Sequence, residues 1–328
     1  MVYGIFLATP YMIDRLVARR LDGFSATLVF PASWAATEYL VPMAAFAGSG
    51  TSIAYSQYAD LPLLQILSVT GLWGVTFLIG WFAAVCNWVW EDGLGSRHAR
   101  VGATLCLATI AAVILFGGAR LTLLPPSSQT VRVASLSKKG SPWNPSDGIW
   151  ERAMYGRASK TEVNEIRRRL STWEHTFERA LNQKTTTGEV EEIRGKFSAR
   201  NAELLSRTER EAQAGALGAD IVLDPAGDTP GISPRHTQLA SFRAIEQGFN
   251  LVRPTDYGLS AAYDYQGRQI AAADYFQASD HVMVSHVPTR GVRTIYSLLG
   301  DWFAWACIAA LAALAGKALA RPVISPIK

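Results

Sequence analysis

Cysteine is scarce in this chain and badly placed for chemistry. The 328 residues hold three, Cys86, Cys106 and Cys307, each inside an apolar run. None has the paired spacing of a disulfide framework or the ligand spacing of a zinc site. Thiols in such surroundings are inert packing residues. The charged middle of the chain, from Gly117 to Ala306, has no cysteine at all, so no thiol chemistry can run there. Net charge is also slight. Thirty-one Lys and Arg against 27 Asp and Glu leave +4, spread along the chain, which gives little case for nucleic-acid binding, and no nucleic-acid partner is expected. Between Pro42 and Pro62 there is neither Lys nor Arg. The first apolar piece, Tyr3 to Ile13, lacks both the basic start and the small-residue cleavage site of a signal peptide.

What the sequence does have is apolar mass. Hydrophobic residues make up 49%, mean hydropathy is +0.12 and there are ten Trp, too apolar for an ordinary soluble protein. Four stretches approach or reach the roughly 20 residues of a spanning helix: Phe24 to Val41, Leu63 to Trp90, Ala99 to Gly118, and Trp302 to Leu319. The first is broken by Pro31, and Tyr3 to Ile13 is too short to span, as a remnant of a longer membrane region would be. Arg15, Arg19 and Arg20 precede the first run, Arg97 and Arg100 separate the second from the third, and Lys317, Arg321 and Lys328 follow the last. The positive-inside rule then puts these flanks and the C-terminus in the cytoplasm, and Leu121 to Gly300 outside it. Tyr39, Trp88, Trp90, Trp302 and Trp305 gather near the run ends, where amphipathic rings favour the interface.

The outer section opens with the linker LLPPSSQT and a strand candidate, Val131 to Ser137. Two charged helices are predicted next. Ser159 with Glu162 forms a capping box for the first, which repeats Val163, Ile166, Leu170, Trp173, Phe177 and Leu181 on one face. The second spans Glu189 to Ala216. Both read as amphipathic helices covering a core, or as partner or lipid-surface helices. After Ala219 come IVLD, a helix from about Pro234 to Gln247, and the strands NLVRP, GLSAAYD, RQIAA and HVMVSHVP, with a turn at Tyr265 to Arg268. The organisation is a membrane region over 1–120, with helices near 24–41, 63–90 and 99–118 and a partial one at 3–13; a layered α/β domain over 121–299 that includes charged helices at 160–216; and a last membrane helix with a basic tail over 300–328.

FRAIEQGFNLVRPTDYGLSAAYDYQGRQIAA, Phe242 to Ala272, resembles the distal half of a carbon-nitrogen hydrolase, or nitrilase, domain. TIYSLLGDWFAW, Thr294 to Trp305, resembles the passage from that domain into the last membrane helix of apolipoprotein N-acyltransferases. FPASWAATEYL, Phe30 to Leu40, and SQYADLPLLQILSVTGLWGVTFLIGW, Ser56 to Trp81, look like membrane segments of the same family. The resemblance implies a multi-pass helical region in the inner, cytoplasmic membrane and an extracytoplasmic αββα sandwich. It implies transfer of an acyl chain from a phospholipid to a lipoprotein N-terminus, with phospholipid and lipoprotein as partners and no cofactor.

That family uses a Glu as general base, a Lys that meets the oxyanion and a Cys that carries the thioester. Here ARNAELLSRTEREAQAGA, Ala199 to Ala216, resembles the first helix of the domain. The strand after it, IVLDPAGDTPG, resembles the stretch beyond the nucleophile and holds no Glu. The sandwich is therefore expected to be incomplete, lacking the central block with base, Lys and Cys, and the protein to be inactive in acyl transfer. The alternative function is a non-catalytic scaffold that binds lipid or lipoprotein. Exposed strand edges, IVLD among them, would favour self-association.

Weak catalytic candidates are Asp228, His236 and Ser241 in a loose Ser/His/Asp constellation, with Ser233 and Ser260 as other hydroxyls. A metal site from Asp228, His236, His281 and His286 is weaker still, because the last two lack tight paired spacing. Glu38, Arg243, Glu246 and Asp301 are assigned to structure or the substrate region; Glu38 is the main charge inside a spanning run, and Arg243 and Glu246 lie three apart on one helix face.

Overall fold

The computed structural model describes residues 2–45, 50–93, 95–136, 161, 213–228, 233–256, 258–277 and 282–320. Apart from Thr161 and residues 213–216, which are helical, the charged stretch expected at 160–216 lies outside the described residues.

The chain enters through helix α1, Val2–Val17, longer than the Tyr3 to Ile13 expected from hydropathy. A short α2, Phe24–Thr27, leads into α3, Val29–Ala45. Pro31 does not interrupt α3 as its place in the apolar run suggested. It sits in the first turn, where a missing N–H costs nothing, and the break falls before it at Leu28. The run from Leu63 to Trp90 is not one helix but three: α4, Leu61–Leu64; α5, Leu67–Thr70; and α6, Leu72–Asp92. Gly71 makes the second break, with φ +64 and ψ −164, a conformation essentially confined to glycine. Helix α7, Arg97–Leu123, overruns its expected end by five residues.

The α/β part contains β1, Thr130–Leu136; β2, Ile221–Leu223; β3, Ala226–Gly227; α8, Ser233–Gln247; β4, Asn250–Arg253; β5, Thr255–Asp256; β6, Leu259–Tyr263; β7, Gln269–Asp274; and β8, Val282–Pro288. A short α9, Ile295–Leu299, with a Thr294/Ser297 capping box, returns the chain to α10, Trp302–Leu319. Helices α6, α7 and α10 are long and apolar enough to cross a membrane by length and composition.

In the bundle α3 packs against α1, α6 and α10. Small residues permit this: Ala32 and Ala35 lie fully buried against Cys307 of α10. Where α7 passes α4, a Cβ on Gly117 would fall 1.7 Å from the Pro62 carbonyl oxygen, so only glycine fits. Leu21, Val29 and Ala318 cluster at one end, which places the end of α1, the start of α3 and the end of α10 together. Arg15, Arg19, Arg20 and Lys317 belong to that end, and the α/β unit sits at the other.

The α/β unit is layered. One sheet has the order β2-β4-β6-β7, with β2 and β4 parallel and the rest antiparallel. Alternation along its strands sends neighbours to opposite faces. Paired Leu251 and Tyr263 join Ala240 and Ala244 of α8. Paired Val252 and Ala262 join Met283 and Val287 of β8. The antiparallel pair β1-β8 thus forms a second sheet on the face away from α8. Among the described residues, no element covers the outer face of that pair, where Val282 and Val284 are exposed. β2 ends its sheet as an edge strand, with Leu223 exposed.

Helix α8 is buried on two faces. Phe242 and Ile245, both fully buried, turn away from the sheet into a cluster with Tyr39, Leu64, Leu67 and Trp73 of the bundle. A second joint is polar. Past Arg120 O, which keeps the Leu124 N–H, the carbonyls at the end of α7 run out of intrahelical donors and must find others. Gln266 donates to Arg120 O at 2.9 Å and to Leu124 O at 2.6 Å, Tyr265 Oη to Leu124 O at 2.7 Å, and Arg268 to Leu121 O at 2.8 Å. Gln65, in the gap between α4 and α5, donates to Gln266 O at 3.0 Å and accepts from Arg120. The break after Leu64 therefore has a purpose: it aims a buried amide at the α/β turn.

Candidate functional site

A cleft of about 580 Å³ opens between α1, α3, the 51–58 segment and α8. Its wall is largely aromatic and apolar, from Leu7, Trp34, Tyr55, Tyr58, Leu239 and Phe242, with Arg235 and Gln238 of α8 at one side. Pockets of this size and makeup accept apolar ligands with a polar end.

Glu38 lies in this wall, but it is not a free base. Its Oε1 accepts from Trp34 Nε1 and Ile53 N, both at 2.9 Å; its Oε2 accepts from Ser52 at 2.6 Å and Thr76 at 2.7 Å. Four donors occupy the carboxylate and hold the 51–57 segment across α3 and α6.

Glu246, fully buried, reaches the start of α6. Its Oε1 accepts from Leu72 N at 2.9 Å, capping an orphan donor at the positive end of the helix dipole, while Oε2 pairs with Arg243. Burial pushes the Glu246 carboxyl above the usual glutamate range, Arg243 draws it back and Asp301 adds to the rise. Thr294 Oγ1 donates to Glu246 O, and Arg243 also reaches Tyr55 Oη at 3.5 Å. Asp301 accepts from Trp73 Nε1 at 2.7 Å and Tyr296 Oη at 2.8 Å. Arg243 and Glu246 thus tie α8 to the start of α6, and Asp301 ties α6 to α9 through Trp73 and Tyr296. Asp264 is likewise raised, by burial, with the N–H groups of Arg268 and Gln266 opposing.

The structure brings Asp228 and His236 together. Nδ1 donates to Asp228 Oδ1 at 2.8 Å, with the ring about half exposed and the carboxylate buried. Arg253 Nη2 stands 3.9 Å from the same oxygen, and its Nη1 pairs with Asp224. Ser241 and Ser260 bond to backbone groups, and the Ser233 side chain lies outside the described residues. Ser241 is buried and donates to Gln238 O at 2.7 Å, back into its own helix. Ser260 accepts from Thr255 N at 2.9 Å. His286 lies in β8 opposite Arg132, while His281 is outside the described residues. Among the described residues no group of three His, Cys, Asp or Glu could hold a metal. Cys106 and Cys307 are buried in α7 and α10, and Cys86 is exposed on α6; none lines the cleft. The hydroxyl in the cleft wall that meets a carboxylate is Ser52, bonded to Glu38 Oε2, and that carboxylate also accepts from Trp34, Ile53 and Thr76.

Residues 1–85, which include α1, α3 and the first half of α6, match the family model for the apolipoprotein N-acyltransferase N-terminal domain. Over nearly the whole chain, 96% of it, there is 22% identity to the apolipoprotein N-acyltransferase of Geobacter metallireducens, 78% of whose length is covered. Similarity to apolipoprotein N-acyltransferases therefore runs along nearly the whole chain. Shorter matches agree: 34% identity over 109 residues with the Gloeobacter violaceus protein, 31% of this chain and 20% of that one, and 37% over 68 residues with the Caulobacter vibrioides protein, 21% and 13%. The Gloeobacter and Caulobacter matches thus span well under two thirds of those relatives. The Geobacter alignment runs 414 positions against a chain of 328, so at least 86 positions, the difference, have no counterpart in this apolipoprotein N-acyltransferase homologue.

Sequence reading had singled out Glu38, Arg243, Glu246 and Asp301, but not the cleft's Tyr55, Tyr58 and Phe242 or the Gln65, Arg120 and Gln266 joint. Polar Gln65 inside an apolar run was the available signal.

Proposed function

We propose that this protein is a membrane-embedded relative of the N-acyltransferases that holds phospholipid or lipoprotein in the cleft beside α8 without transferring the acyl chain. The observation that carries the reading is the cleft itself: an aromatic, lipid-sized wall with no cysteine in it or anywhere in the α/β unit. Acyl transfer through a thioester needs a thiolate, a base and a fixed positive charge within reach of one carbonyl. The α/β unit is an incomplete, nitrilase-like αββα sandwich on the extracytoplasmic side of the inner membrane. Support for the sandwich comes from one helix layer over two sheets, and for the side from basic residues at the opposite end of the bundle. The edge of β2 and the bare face of β1-β8 are where a second copy would associate.

Gln238→Trp places a large ring in the cleft from a helix position whose side chain bonds to nothing there. Protein purified in mild detergent is expected to retain phospholipid, and the variant about fivefold less. Equal retention by both, or expression of the chain restoring lipoprotein N-acylation in a depleted strain, overturns the proposal.

A further inference from the structure

A second groove lies on the other side of α5, sharing no lining residue with the cleft. It encloses about 490 Å³ between the end of α7, α5 and the 292–295 segment that precedes and begins α9. Phe116, Leu123, Leu124 and Ile295 give it an apolar wall, and all four are exposed. Its depth in the bilayer is marked by Trp302, whose Nε1 donates to Val69 O in the same wall and whose ring sits at the start of a spanning helix, where interfacial tryptophans gather.

Two guanidinium groups line this otherwise apolar space. Arg293 is exposed and, among the described residues, makes no hydrogen bond or ion pair; its guanidinium lies over Gly218. Arg120 is buried, bonded to the Gln65 side chain and set 5.8 Å from the centroid of the Tyr265 ring, with the Asp264 carboxylate close enough to offset part of its charge. No carboxylate among the described residues pairs with either. The Arg293 charge, without a counter-ion among the described residues, at headgroup depth and continuous with exposed aliphatic side chains, is complementary to one thing the surroundings supply: an anionic phospholipid with phosphate toward Arg293 and chains along Phe116 and Leu123.

We infer that this groove is a site for an anionic phospholipid of the surrounding leaflet, separate from the cleft and bound as a resident molecule. Arg293 supplies the headgroup contact; Arg120, fixed in the α7 joint, supplies a field from behind it.

The test uses the full chain in nanodiscs of phosphatidylcholine with a minority of phosphatidylglycerol, and native mass spectrometry of the lipids that stay bound. One phosphatidylglycerol per chain is expected, enriched about fivefold over the bulk ratio, the worth of one basic residue at a membrane surface. Arg293→Gln is expected to return the ratio to bulk. Arg290→Gln, an exposed arginine outside the groove, leaves the enrichment in place, as does Gln238→Trp in the cleft. No enrichment in the unmodified chain, enrichment that survives Arg293→Gln, or equal loss in Arg290→Gln overturns the inference. Failure of cleft retention alone touches only the function proposed above.

Discussion

Replacing Glu246 with alanine is expected to destabilise the protein by about 3–5 kcal/mol, the cost of removing one partner from a buried ion pair. Three losses coincide there. Arg243 is left as a mostly buried cation, Leu72 N loses the acceptor that caps α6, and α8 loses a bond to the bundle. The pair itself need not be a net source of stability, because desolvating both charges offsets their attraction; deleting one of them is what costs. Glu246→Gln keeps an oxygen for Leu72 N and drops a charge that burial already disfavours, so its loss is expected to be clearly smaller. Thermal unfolding in detergent, followed by tryptophan fluorescence, checks this. If alanine and glutamine lower the transition equally, the helix cap contributes nothing.

Gly71→Ala is the second large effect. The ε conformation at Gly71 costs a non-glycine residue about 1–3 kcal/mol, and a Cβ there would also fall 2.4 Å from the Tyr296 ring. The ring must move, and its hydroxyl bond to Asp301 goes with it. Gly93 provides the comparison: its φ of +71 and ψ of 156 are equally restricted, yet a Cβ there meets nothing within 4 Å. Gly93→Ala should therefore show the backbone cost alone, and Gly71→Ala a fall in unfolding temperature at least twice as large. Equal falls would mean that Tyr296 yields without loss.

The sequence made the long apolar runs legible because hydropathy adds up over about 20 residues. For the same reason it hid their interruptions. One glycine and one glutamine vanish in such an average, and the break they make at Gln65 and Gly71 has its cause in Gln266 and Tyr296, some 200 residues on. The strands were readable where one face is buried: in HVMVSHVP, Met283 and Ser285 are buried between exposed neighbours. NLVR, buried throughout, shows no alternation and was placed by its flanking turns. Of the candidate site, Asp228 and His236 could be paired by composition alone, since they lie eight residues apart around a turn. That Ser241 bonds back to Gln238 O of its own helix, not to His236, is visible only in the folded chain. Glu38 was noticed as a charge in an apolar run; that four donors already occupy it is a tertiary fact.

Thiol chemistry is where the account is most exposed. The protein in nanodiscs, supplied with phospholipid bearing a labelled acyl chain and with a diacylated lipopeptide, would be read by intact mass and by label released with neutral hydroxylamine. No acyl adduct on the chain and no triacylated lipopeptide is the expected result. A hydroxylamine-labile adduct at one acyl group per chain, or triacylated product, abolished by replacing Cys86, Cys106 or Cys307, would contradict it.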